Sequence, residues 1–157
     1  MIEIRRALPD QAERLSEIAW AAKASWGYPA RWLELWREAL TVTPEFINTN
    51  PVFVASSNGS IVAFVALVPE SGTRWLLEHL WVSPPQMKQG LGLQLVRFAS
   101  DFAGSNGVRE LAIDAEPLAE PFYLRLGAVR VGEAAGTIDG HTRVRPQMVL
   151  FTDIVNT

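Results

Sequence analysis

The sequence predicts a mixed α/β (α+β) domain, a mostly antiparallel central sheet of about seven strands flanked by four helices, in the order β-α-α-β-β-β-α-β-α-β-β. Three observations carry this. Apolar residues recur at two-residue spacing in some stretches and at three- to four-residue spacing in others, with no repeat or low-complexity linker between them. "VFVAS" (52–56) and "IVAFVALV" (61–68) flank Asn58-Gly59, the dipeptide of a tight antiparallel hairpin. "TRWLLEHLWV" (73–82) and "ELAID" (110–114) are separated by a helical stretch, 90–103, long enough to carry the chain back for a parallel pairing.

Each element has its own signal. Ile2 and Ile4 alternate with Glu3 and Arg5 as a first strand ending near Arg6. Pro9 and Asp10 open a helix whose apolar face is Ala12, Leu15, Ile18, Ala19 and Ala22, running to about Ala24, where "SWGYP" breaks it. Pro29 starts a second helix with Trp32, Leu33, Trp36, Ala39 and Leu40 on its apolar side, ending before Pro44. After the hairpin and the third central strand, Leu91, Leu95, Phe98, Ala99 and Phe102 mark one side of the crossover helix, and Gly104, Asn106 and Gly107 end it. A short helix over 119–126 is closed by Gly127, and 128–133 and 144–151 are the last two strands.

At 157 residues the chain reads as one domain spanning 1–157. A net charge of −3 gives no general attraction to nucleic acid, and the longest apolar run has eight residues, against roughly 20 for a membrane span. Charges at the amino terminus argue against a secretory signal. The chain has no cysteine, which removes disulfides, thiolate metal sites and a cysteine nucleophile. These features fit a cytoplasmic protein with no metal, nucleic-acid or membrane partner, and the strand-rich carboxyl end is one place where a homodimer could pair.

"QMKQGLGLQLV" (86–96) puts two glycines at a strand-to-helix junction. A helix amino end presents unpaired N–H groups and partial positive charge, and glycines at 90 and 92 let an anion approach the backbone. A P-loop needs Lys-Ser or Lys-Thr where Leu93-Gln94 stand, and a dinucleotide fingerprint needs a third glycine where Leu95 stands. Both fail.

"LEHLWVSPPQMKQGLGLQLVRFA" resembles the acetyl-coenzyme A motif of the GNAT N-acetyltransferase superfamily, and "AEPFYLRLGAVRVGE" is similar to its later motif, a tyrosine shortly before a glycine that starts the next strand. The order of elements agrees over essentially the whole chain. Met87 stands where arginine or glutamine is usual, and Leu118 where an asparagine is often found. The resemblance implies transfer of acetyl from acetyl-coenzyme A to a primary amine of a small molecule or peptide. The coenzyme would lie along Leu80, Trp81 and Val82 and on the turn of Met87, Lys88, Gln89 and Gly90, continuing to Leu91, Gly92 and Leu93. It implies Tyr123 as the residue that protonates the departing thiolate. The other class compatible with these residues is a non-catalytic acyl-coenzyme A binding or regulatory module.

The chemistry needs a base, since an alkylamine of pKa about 10.4 is almost wholly protonated at neutral pH. Glu78 is the candidate, placed by two-residue alternation on the face of Leu80 and Val82, where a carboxylate lining an apolar cleft becomes a better base. His79, on the other face, is its rival. Four of six tryptophans fall between 20 and 36, and helix-to-core packing accounts for Trp32 and Trp36. Trp26 and Tyr28 flank Gly27 in a loop and are the expected walls of the amine site, with "TIDGHTR" (137–143) as a second wall.

Overall fold

The computed structural model describes residues 1–153, so the last four positions of the expected 1–157 domain lie outside the described residues. Seven strands form one sheet in the order β1-β2-β3-β4-β5-β7-β6, where β1 is Ile2–Arg6, β2 Val52–Ser57, β3 Ser60–Pro69, β4 Arg74–Val82, β5 Glu110–Asp114, β6 Val129–Ile138 and β7 His141–Phe151. Every neighbouring pair is antiparallel except β4 with β5. The β2–β3 turn has positive φ at both Asn58 and Gly59, the mirror-image turn whose twist matches paired strands.

The helices are α1 (Ala12–Ala24), α2 (Ala30–Leu35), α3 (Arg37–Leu40), α4 (Pro44–Thr49), α5 (Leu91–Ser105) and α6 (Glu120–Arg125). The expected four become six for two local reasons. The stretch read as one helix to Pro44 is interrupted at Trp36, whose φ of −91° and ψ of 2° leave the helical region. Pro44 begins a helix rather than merely ending one: the Thr43 hydroxyl accepts the Phe46 N–H at 3.0 Å, and proline is suited to a first helical position. None of the described helices is long and apolar enough to cross a membrane.

The sheet separates two apolar layers. On one face α1, α3 and α4 bury Leu15, Ile18, Leu40, Ile47 and Phe64. On the other, α5 and α6 bury Leu91, Leu95, Leu111, Tyr123 and Met148. The parallel join between the two halves of the sheet is short, from Arg74, Trp75 and Leu76 to Glu110, Leu111 and Ala112. From Leu77 to Val82 the β5-facing edge of β4 has no strand partner.

A β-bulge accounts for the divergence. Ala66 lies opposite His79 but Leu67 lies opposite Leu77, so Glu78 is an extra residue in β4. Bulges bend a strand and increase its twist, and this one follows the last β4–β5 pair by two positions. It also reverses the alternation. Leu80 and Val82 pack toward α5, whereas His79 and Trp81 pack on the α1 side.

Candidate active site

The gap between β4 and β5 opens into a cleft of ≈ 410 Å³. Lys23, Trp36, Glu78, His79 and Trp81 line it on the α1 side. Leu77, Ile113 and Met148, which belong to the layer under α5, line it too. The cleft thus reaches side chains of both layers.

At the carboxyl end of β4 the chain turns through Ser83 and a single 3₁₀ turn at Pro84–Gln86 into α5. Lys88 and Gly90 both have positive φ, 64° and 83°. This bends the backbone so that six successive N–H groups, from Lys88 to Leu93, have no protein acceptor among the described residues, and the first helical bond is from Gln94 N–H to the Gly90 carbonyl. Successive free amides at a helix amino end form an anion-binding concavity. The exposed Lys88 adds a cation with no ion pair among the described residues.

The two glycines have different causes. At Gly90 nothing crowds a side chain; its left-handed backbone is what favours glycine. A Cβ at Gly92 would stand 3.2 Å from the Phe122 ring, so the bare position also lets α6 approach α5. Phe122 meets Tyr123 edge to face at 5.1 Å, so Gly92 sets how near Tyr123 comes to the amide turn. The Tyr123 hydroxyl has no hydrogen-bond partner among the described residues, and burial pushes its pKa well above the ordinary phenol value.

Glu78 is exposed and lines the cleft on the side of His79 and Trp81, not on the face of Leu80 and Val82 that simple alternation assigned. The bulge is the reason. His79 accepts a hydrogen bond from Trp81 Nε1 at Nδ1, 3.0 Å, between the Phe46 and Phe64 rings, and burial lowers its pKa to about 4. A neutral imidazole that accepts at Nδ1 carries its proton on Nε2, which leaves no free basic nitrogen. This disfavours His79 as the base.

The lowered pKa has a consequence for stability. Because the folded value of about 4 lies below the unfolded value of about 6.5, the unfolded chain takes up this proton first as pH falls. The contribution is present in full above pH ~6.5 and is lost toward pH ~4, by up to about 3 kcal/mol. His79→Gln should therefore flatten the fall in unfolding free energy between pH 6.5 and 4, measured by urea titration. A variant with the wild-type slope would contradict this.

Sequence reasoning missed the charged group beside the cleft. Lys23, buried on α1, donates to Glu116 at 2.7 Å, and Arg143 on β7 donates to the same carboxylate at 2.5 Å. The Tyr28 hydroxyl donates to the other Glu116 oxygen and accepts from Arg143 at 3.3 Å. Burial pushes the Glu116 carboxyl up, but the Lys23 and Tyr28 hydrogen bonds and the two cations outweigh it and hold it below the usual carboxylate value. Burial also lowers Lys23, opposed by Glu116. The Lys23 ammonium lies 4.3 Å over the Trp36 ring.

Tyr28 stacks on Trp32 at 5.7 Å and meets Trp36 edge on at 5.1 Å, and of these three Trp36 lines the cleft, while Tyr28 reaches it only through the Glu116 group. Trp26 is 39% exposed and does not line the cleft. The 137–143 stretch is the β6–β7 hairpin end, with His141 5.5 Å from Trp32 and Arg31 paired to Asp139 at 2.8 Å. The available signal was Lys23 itself, four residues after Ala19 on the apolar stripe of α1, where a charge requires a buried partner.

Known structures share this architecture. A GCN5-related N-acetyltransferase from Rhodopseudomonas palustris superposes with a TM-score of 0.78 at 20% identity, covering 94% of this chain and 93% of its own. The PaiA N-acetyltransferase of Thermoplasma acidophilum, solved in complex with coenzyme A, gives 0.72 at 19% identity over 95% and 98%. The ribosomal-protein-S18-alanine N-acetyltransferase of Escherichia coli gives 0.73 at 20% identity over 99% and 97%. The fold is thus that of the GCN5-related N-acetyltransferases. No curated protein sequence matches the chain. The acetyltransferase (GNAT) family profile matches residues 12–128, and the chain belongs to that family.

Proposed function

We propose that this protein is an acetyl-coenzyme A-dependent N-acetyltransferase acting on the primary amine of a small molecule or peptide. The observation that carries the reading is the row of free amides from Lys88 to Leu93, set where β4 has parted from β5. A diphosphate suits those amides and Lys88. An extended chain carrying amide groups suits the unpaired edge of β4 at Leu80, Trp81 and Val82, as an added strand does. The PaiA enzyme's complex with coenzyme A supports the same ligand here.

Acetyl-coenzyme A supplies an acyl carbon activated as a thioester. Glu78, open to the cleft, takes the amine's proton directly or through water as the carbon–nitrogen bond forms. As the carbon–sulfur bond breaks, Tyr123 hydrogen-bonds the leaving sulfur and passes it a proton. The amine enters from the α1 face and the thioester from the α5 face, through the opening in the sheet.

Calorimetry with coenzyme A and with ATP, followed by thiol release from acetyl-coenzyme A with a mixture of amines, tests this. Tight coenzyme A binding, weak ATP binding and amine-dependent thiol release are expected. Absence of coenzyme A binding would overturn the reading. Binding without thiol release for any amine would make the chain a non-catalytic acyl-coenzyme A module.

A further inference from the structure

The buried group beneath Tyr28, Trp32 and Trp36 is not balanced in charge. Lys23, Arg143 and Arg145 share this end of the site with Glu116 and Asp114, three cations to two carboxylates. The Lys23 and Arg143 side chains are only 10% and 14% exposed. A clamp joining α1 to β7 through Glu116 needs one cation; a second, withdrawn from water without its own anion, weakens such a clamp.

Both cations also have donors to spare. Arg143 uses only Nη2, on Glu116 and Tyr28, and its Nε and Nη1 have no acceptor among the described residues. Lys23 places one N–H on Glu116 and has no further acceptor among the described residues. Asp114 takes Arg145 at 2.8 Å and Gln147 at 2.9 Å on Oδ1 and makes no hydrogen bond to Arg143 or Lys23. Lys23 lines the cleft, with Arg143 beside it on the shared Glu116 carboxylate, and Glu78, an exposed carboxylate with no ion pair among the described residues, lines the same cleft. The cleft is therefore bipolar.

We infer that the acceptor is an amino carboxylic acid, its carboxylate held by Arg143 and Lys23, its amine directed to Glu78 and its apolar part laid against Trp36. This rests on the N-acetyltransferase reading of the same cleft and narrows it. A guanidinium edge with free N–H groups matches a carboxylate in geometry, and the aromatic wall suits an apolar side chain. Polyamines meet two buried cations and are disfavoured.

The test compares amino acids with their carboxamides in the thiol-release assay: phenylalanine, leucine and 6-aminohexanoate against the matching amides, with spermidine as the polycation. The carboxylate form should be preferred in at least one pair by about 10- to 100-fold in kcat/KM, the range of a charge-assisted hydrogen-bonded contact, with spermidine poorest. Arg143→Gln should shrink that ratio to within about threefold by raising KM, and Arg143→Lys should restore part of it. Amides used as well as acids in every pair would overturn the inference while leaving the transferase reading intact. If no amine is turned over although coenzyme A binds, thermal shifts with N-acetylphenylalanine and its amide decide: no selective stabilisation by the acid overturns the proposal. Loss of coenzyme A binding altogether would instead remove the reading on which it rests.

Discussion

Tyr123→Phe is expected to lower turnover by about 100-fold or more while leaving coenzyme A affinity and stability nearly unchanged, because proton donation by a positioned side chain contributes about 10²- to 10⁴-fold. The substitution is unusually clean. Tyr123 is 7% exposed among Leu91, Leu95 and Leu111, and its hydroxyl gives up no hydrogen bond within the described chain, so phenylalanine fills the same space with no orphaned partner. Burial raises the phenol pKa and so keeps the group in its protonated, donating form. Stopped-flow thiol release and calorimetry on one preparation check both halves. Unchanged turnover would show that this hydroxyl is not the donor.

The second large effect concerns stability. Glu116→Gln removes the negative charge that Lys23 and Arg143 share, leaving two cations buried without a counter-ion. Breaking a buried ion pair by deleting one partner costs about 3–5 kcal/mol, which in a domain of this size lowers the melting temperature by roughly 6–20 °C. The three side chains are each no more than 14% exposed, so solvent screens the change little. A melting curve within a degree or two of wild type would mean that the cluster contributes little, and would also weaken the case that its extra charge awaits a ligand.

The fold was legible because its signals are local. The Asn58-Gly59 turn, the alternation in β1 and the single helical crossover each follow from residues close in sequence, and all seven expected strands are present, although β6 runs on to Ile138 and β7 begins at His141, through the stretch read as a loop. What escaped was non-local or one residue wide. Thr43-Pro44 can be read as a stop or a start, and only the Thr43 hydroxyl on the Phe46 amide decides it. An extra residue in β4 moved Glu78 to the other side of the sheet, since any argument from alternation fails beyond a bulge. Lys23 on α1, Glu116 in the connection after β5 and Arg143 on β7 are far apart in the chain, so no motif spacing connects them. That Gly92 also makes room for the Phe122 ring is likewise invisible in the sequence.

The parting of β4 from β5 bears on solubility as well. Main-chain groups left unpaired along a strand usually sit at the rim of a sheet, where a strand of another molecule can add on and start aggregation. Here the vacant edge lies in the middle of the sheet, flanked by β3 on one side and by β5 and β7 on the other, and bent by its bulge. Such an interior notch is walled on both sides, so it is less open to strand pairing between copies than an edge at the rim of the sheet would be.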